Sequence, residues 1–364
     1  MSVTKHNWTK QEILDIYNKP LMELLYEAAT IHRKNHDPNV VQVSTLLSIK
    51  TGGCSEDCGY CPQAARYHTN IEGNDLMTIQ QVKAQALRAK ESGSSRVCMG
   101  AAWRNVKDGK EFDQVLEMVR TINKLDMEVC CTLGMITENQ AQRLAEAGLY
   151  AYNHNLDSSE EYYKEVISTR GYQDRLDTID NVRKTNVTVC SGGIIGMGEN
   201  VEDRAGMLVA LSTLNPQPES TPINALVAVE GTPLEDQKPV SIWEMIRMVA
   251  TTRIVMPETQ VRLSAGRTQM TREGQAMCFF AGANSIFAGD KLLTTPNPDV
   301  NEDMEMFKML GLNPQKPFTK KVQPQTVEAT ESQFEALGEK PKWTRPKHTI
   351  ERNEAAKEKA KAVK

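Results

Sequence analysis

The chain has 364 residues, enough for one large domain or two ordinary ones. A quarter of the residues are charged and the formal net charge is −4, which leaves no electrostatic footprint for nucleic acid or an anionic membrane. No apolar run reaches the roughly 18 residues needed to span a bilayer, and the opening MSVTKHNWTKQEIL has no apolar signal core, so the expected compartment is the cytoplasm.

In chain order, residues 9–34 predict a helical stretch that makes up most of an N-terminal extension over 1–40. Short apolar runs then alternate with amphipathic helical segments. The strand-like runs are 43–49, 96–100, 127–133, 149–155, 187–195, 223–229, 260–264 and 284–287. The helix-like segments between them are 78–92, 112–125, 138–147, 173–185, 201–214, 242–255 and 271–280. Thr78, Thr137 and Ser241 stand where helix N-caps are needed. Gly93 and Gly148 stand just past helix ends, where a left-handed cap favours glycine. Eight strand–helix alternations predict a parallel sheet closed as a (β/α)8 TIM-type barrel over 41–318. The alternative is an open doubly wound sheet, which lacks support because no dinucleotide-type glycine motif opens the first helix. Residues 319–364, rich in Lys, Glu, Ala and Pro, predict a flexible charged tail without chemistry.

Eight cysteines in such a chain read as thiols or metal ligands, not as a disulfide framework. Three of them form a C-x3-C-x2-C run, Cys54, Cys58 and Cys61, directly after the first predicted strand. Three thiolates this close can grip one iron–sulfur cluster through three of its four irons, leaving the fourth open for reaction. Zinc is the alternative, but structural zinc usually takes paired C-x2-C units, and no second pair follows.

The run, with Tyr60 before its third cysteine, resembles the radical S-adenosylmethionine (SAM) superfamily. The segments GGCSEDCGYCPQ, CTLG, YNHNLD, STRGYQDRLDTI, VCSGGIIGMGE, RAG, VRLSAGR and AMCFFAGANSIFAGDKLLTTPNP extend the resemblance, in order over 40–316, to the biotin synthase family. One departure is that the Gly-Gly-Glu following the second strand of many radical SAM proteins is here Met99-Gly100-Ala101. The resemblance implies a 4Fe–4S cluster on Cys54, Cys58 and Cys61, with SAM on its open iron. It also implies insertion of sulfur into dethiobiotin to form biotin, the last step of biotin biosynthesis. An electron donor such as flavodoxin or ferredoxin, and a homodimer, are implied in the same way.

Cys98, Cys130, Cys190 and Arg262 fall on the second, third, fifth and seventh predicted strands. Inward side chains of a barrel fill its interior in layers, so these four can converge there. A buried arginine needs an anionic partner, and a second cluster would supply one. Each cysteine alone reads equally well as a small buried hydrophobe. The resemblance implies a 2Fe–2S cluster on all four. Neighbours on a strand face opposite sides, and the family's Cys-x-Thr-Leu-Gly pattern matches Cys130, so by resemblance Cys131 is expected to face the surrounding helices; Cys278 is expected to pack in a helix.

Strand alternation puts Asn153, Asn155 and Asp157 on one face, where a carboxylate and amides can bind ribose hydroxyls. Capping of the next helix is the competing reading for Asp157. By resemblance, Asn155 and Asp157 contact SAM, while Asn155 and Asn224 contact the ureido ring of dethiobiotin. The glycine run 192–199 lets backbone approach a flat ligand, although such runs often mark only a tight loop. The family places adenine there, which brings in Gly192 and Ile194, with Tyr60 alongside. Arg175 resembles a family residue near the SAM carboxylate, although its default reading is a surface helix arginine. Two other functions remain compatible: another radical SAM enzyme, of thiazole-precursor or hydrogenase-maturation type, and an iron–sulfur carrier protein.

Overall fold

The computed structural model describes residues 4–289 and 291–318. The predicted tail, 319–364, lies outside the described residues. Ten strands form one sheet: β1 (Val40–Lys50), β2 (Arg96–Ala101), β3 (Glu128–Thr132), β4 (Ala151–Asn153), β5 (Thr188–Cys190), β6 (Gly193–Ile195), β7 (Ser220–Ala225), β8 (Gln260–Leu263), β9 (Ala283–Ala288) and β10 (Asn313–Pro314). Every pairing is parallel, and β9 returns to β1, closing the ring. Since β6 carries on from β5 after a break, the barrel has eight staves, as the alternation predicts.

The helices are α1 (Lys10–Tyr17), α2 (Leu21–Asn35), α3 (Ile79–Glu91), α4 (Lys110–Asn123), α5 (Glu138–Glu146), α6 (Glu160–Val166), α7 (Tyr172–Arg183), α8 (Val201–Thr213), α9 (Ile242–Val255), α10 (Arg272–Phe280) and α11 (Val300–Leu310). Thr78, Thr137 and Ser241 each accept a backbone N–H at a helix start, as expected. The expected single stretch 9–34 is two helices. Pro20, which has no N–H to donate, stands between them. They pack over α8 and α9, and Trp8 Nε1 donates to the Val255 carbonyl at 3.1 Å. None of the described helices is long and apolar enough to cross a membrane.

Two strand predictions need correction, for a shared reason. The run 187–195 is interrupted between β5 and β6, and the stave predicted at 223–229 lies upstream at β7. Pro222 sits inside β7, opposite the interruption, where the ladder asks for no N–H. Gly192 packs against it. A Cβ there would stand 2.1 Å from the Pro222 carbonyl oxygen and 2.9 Å from its nitrogen. Gly192→Ala is therefore expected to destabilise the fold by at least about 1–3 kcal/mol, the usual cost of overpacking. An unchanged melting temperature would contradict this close approach.

Apolar burial is divided in two. The main core lies between sheet and helices, while Cys98, Cys130, Ala151, Phe287 and Leu292 form a separate cluster inside the ring. Below that cluster, Arg96 pairs with Glu128 at 2.7 Å, both fully buried. Gln42 and the backbone N–H of Phe318 also donate to Glu128, at 3.5 and 2.7 Å. Such a pair is costly to bury unless its remaining bonds are made. Here they are made, and they form the floor of the barrel.

Candidate functional site

The three-cysteine run follows β1 at the C-terminal end of the barrel, where loops after the strands gather. It borders a cavity of about 320 Å³. Two backbone bonds, Cys54 N–H to Gln63 at 3.0 Å and Ala65 N–H to Cys54 at 2.7 Å, fold the loop back on itself. The acidic residues between the first two cysteines fasten it to the segment joining α6 to α7. Asp57 accepts from the backbone N–H groups of Ser168 and Thr169, at 2.9 and 3.1 Å, and from both hydroxyls. Glu56, 2% exposed, accepts from the Thr169 hydroxyl. Gly59 N–H adds a bond to the Val166 carbonyl at 2.9 Å.

Burial pushes the Cys58 thiol up to about 11, against the opposing pull of Arg170 and Arg175. Burial, together with Cys58, pushes Cys61 up to about 12. Without a metal these thiols hold their protons, so loading would release them. Among the described residues, no three His, Cys, Asp or Glu side chains are placed to hold a single metal ion. Glu56 Oε1 and Arg170 Nε are buried beside the thiols without hydrogen-bond partners. They face each other at 3.8 Å as a loose ion pair, and charged groups set around three spaced thiols fit a charged group wider than one ion.

Next to this loop, Asp157 joins two other predicted residues. Tyr60 donates to it at 2.7 Å and Arg175 pairs with it. Arg175 is 4% exposed, which corrects its default reading as a surface residue. Its other nitrogens donate to Tyr163 Oη at 3.0 Å and the Asn155 carbonyl at 2.7 Å. Asn153, Asn155 and Asp157 all line the cavity, but strand alternation is not the cause. The strand β4 ends at Asn153, and Asp157 takes a left-handed φ of 69°. That turn lets its backbone bond to Gly192 and Ile194. Asn155 Oδ1 accepts from Gly192 N–H at 3.2 Å. Ile194 and Asn224 also line the cavity, whereas Gly192 is not on its wall. Asn224 bridges the Gly193 carbonyl and Ala265 N–H at 2.9 and 3.2 Å, which fixes its amide.

Deeper in the ring, the structure brings together Cys98, Cys130, Cys190 and Arg262. Cys98 and Cys130 are partners across the β2–β3 ladder. Arg262, 1% exposed, reaches Cys190 Sγ at 3.8 Å. Ser285 accepts from its Nε at 2.9 Å, Gln42 and Ser44 accept from its Nη2 at 3.0 and 3.5 Å, and Phe287 stacks 4.6 Å away. Asn153 donates to Cys190 at 3.2 Å. Burial raises the Cys98 thiol, but its bond with Cys130 and the charges of Arg262 and Arg96 outweigh this and leave it below its ordinary value. The Cys130 thiol, the donor of the pair, is raised. Cys98, Cys130 and Arg262 border the cavity, and Cys190 lies behind its wall. Cys131 joins the core facing the helices and Cys278 packs within α10, as expected.

Residues that sequence reasoning missed are Glu56, Asp57, Arg170 and Tyr163. The first two stand inside the cysteine run itself, and two acids among metal ligands were the available signal. At the departure from Gly-Gly-Glu, Met99 is buried toward the helices while Ala101 and Ala102 line the cavity.

Comparison with known proteins gives a consistent result. The profile of the Radical SAM superfamily matches residues 48–211, and that of the Biotin and Thiamin Synthesis associated domain matches 222–313. The chain is 86% identical to a biotin synthase of Flavobacterium psychrophilum over 353 residues, covering 97% of this chain and 98% of the relative. It is 58% identical to a mitochondrial biotin synthase of Arabidopsis thaliana, covering 86% of this chain and 83% of the relative. Among solved structures, methylornithine synthase superposes with a TM-score of 0.72 at 17% identity, covering 91% of this chain and 96% of that one. At that identity the likeness shows the fold alone.

Proposed function

The chain belongs to the biotin synthase family of radical SAM enzymes, and from that premise we propose that it inserts sulfur into dethiobiotin using two separate iron–sulfur centres. One observation carries this reading: a single cavity has three thiols at its mouth and, in its depth, two more with Arg262, which reaches Cys190 behind the wall. A plain radical SAM enzyme has no use for the deeper set. An iron–sulfur carrier has no use for the Asn155, Asp157 and Asn224 array.

Cys54, Cys58 and Cys61 would hold a 4Fe–4S cluster, and Cys98, Cys130, Cys190 and Arg262 a 2Fe–2S cluster. When bound, SAM and the clusters supply the radical that removes hydrogen from unactivated carbon, and the sulfur that closes the ring. The chain's own residues position and shield. Asp157, oriented by Tyr60 and Arg175, presents its free carboxylate oxygen to ribose hydroxyls. Asn155 and Ile194 line the same wall, where ribose and adenine would lie, and Gly192 N–H orients Asn155. Asn155 and Asn224, with donors and acceptors side by side, suit a ureido ring. Neutral His154, its pKa lowered by burial and by Arg175, adds no charge to the wall. An electron donor such as flavodoxin or ferredoxin, a homodimer and a cytoplasmic location belong to the same proposal and rest on family resemblance.

Spectroscopy of anaerobically purified protein, with and without SAM, tests it. Two cluster signatures are expected, with SAM perturbing one of them. A single signature would overturn the two-centre reading.

Arg262 gives a sharper check. Arginine holds its proton to a pKa above about 12, so it is a weak ligand beside three thiolates. Arg262→Ala is expected to weaken or retune the deep cluster without abolishing its assembly. Arg262→Lys, which keeps the charge, is expected to be milder. Complete loss of 2Fe–2S absorption in Arg262→Lys, with the upper cluster intact, would show the guanidinium to be indispensable.

A further inference from the structure

Four arginines surround the cluster-binding loop, and one of them is buried with bonding capacity to spare. Arg104 and Arg66 have side chains 39% and 52% exposed. Arg175 spends its nitrogens on Asp157, Tyr163 and the Asn155 carbonyl. Arg170 is different. Its side chain is 7% exposed and borders the cavity, and its Nε has no hydrogen-bond partner. One Nη nitrogen stands 4.0 Å from Cys58 Sγ, while Nε stands 3.8 Å from Glu56 Oε1. Arg170 follows Thr169, whose hydroxyl holds Glu56 and Asp57, so the cation is carried by the segment that clamps the loop. It lies between the end of α6 and the N-cap of α7 at Gly171, which limits its freedom to swing away.

We propose that Arg170 is a charge-compensating positioning residue of the three-cysteine site, raising the reduction potential of a cluster bound there, while Glu56 acts in the opposite sense. This rests on the reading that Cys54, Cys58 and Cys61 hold an iron–sulfur cluster. The physical argument is short. Reduction adds negative charge to an already anionic thiolate-bound cluster, and its potential follows the nearby charges. In a buried site of low effective dielectric, a fixed positive charge against a ligand sulfur favours the reduced state, and a carboxylate disfavours it.

The test is a redox titration of the reconstituted full-length protein, without SAM, following the reduced three-cysteine cluster by electron paramagnetic resonance, with iron and sulfide counted in each sample. Arg170→Met is expected to lower the potential, so that the ratio of reduced to oxidised cluster at fixed poise falls about tenfold, equivalent to 59 mV for one electron. Arg170→Lys is expected to stay close to the parent. Glu56→Gln is expected to shift the ratio the other way. A merely structural clamp would not give opposite signs. Cluster loss in Arg170→Met alone, with Arg170→Lys at the parent potential, also supports the charge role. Two results overturn it: full iron with an unmoved potential in Arg170→Met, or equal cluster loss in the Met and Lys variants. Absence of the cluster signal in the parent itself would sink the underlying reading instead, so the two failures are distinguishable.

Discussion

Replacing Cys54, Cys58 or Cys61 singly with alanine is expected to reduce 5′-deoxyadenosine release from SAM by more than about a hundredfold. Even outer residues that only orient metal ligands commonly cost 10–100-fold, and these thiols would be the ligands themselves. With two thiolates left, the loop pinned by Glu56 and Asp57 would still be in place, so the fold should survive while the metal does not. Chromatography of the anaerobic reaction with a strong reductant measures the outcome, and circular dichroism checks the fold. Cys278→Ala is the control. That thiol is buried in α10, away from the cavity, and burial holds its pKa near 12. Its loss costs stability, not SAM cleavage. Parent-rate release of 5′-deoxyadenosine by any of the three loop variants would remove the foundation of the proposed site.

For Cys190→Ala the expected result is different: product formation falls below detection while SAM cleavage persists. Cys190 lies behind the cavity wall, tied to Arg262 and Asn153, on a stave that supplies nothing to the three-cysteine loop. Removing it leaves two thiols and the arginine, too few to retain a sulfur-donating centre. Its neighbour in the ladder, Asn153, loses a sulfur acceptor but keeps its bond to Asn155 at 3.3 Å. Cys131→Ala should keep both centres, because that side chain joins the core on the helical side of the sheet. Equal loss of iron from both sites in Cys190→Ala would mean that the two sets do not act as independent centres.

Much of this was legible in the sequence because barrels repeat. Each stave is a short apolar run followed by a capped amphipathic helix, and cues such as Thr78 and Thr137 are local. That Cys130 and Cys131 face opposite sides follows from the two-residue period of a strand, and the family's Cys-x-Thr-Leu-Gly pattern, which matches Cys130, picks the inward one. What escaped depended on tertiary context. The break between β5 and β6 answers to a proline thirty residues later, and the turn at Asp157 is held by the backbone of that broken stave. Arg175 looked like a surface residue because its helix is polar, and only the fold shows Asp157 and Tyr163 beside it. Arg170 carries no motif of its own. Its meaning comes from a thiol more than a hundred positions earlier, brought near by Asp57 and the hydroxyls of Ser168 and Thr169.

The closed floor has a consequence for the order of filling. Arg96, Glu128 and Gln42 seal the ring beneath the deeper cysteines, and the backbone of Phe318 stands across the same opening. Position along the parallel strands fixes depth. Cys98 and Cys130 stand two residues above that seal, whereas Cys54, Cys58 and Cys61 stand past the end of β1. With these described residues across the lower opening, whatever is destined for the lower level would descend past the upper one. The barrel is therefore loaded like a narrow shaft. Iron and sulfur for the proposed deep centre would go in first, and a ligand seated against Asp157 and Asn155 would stand above whatever had already been delivered.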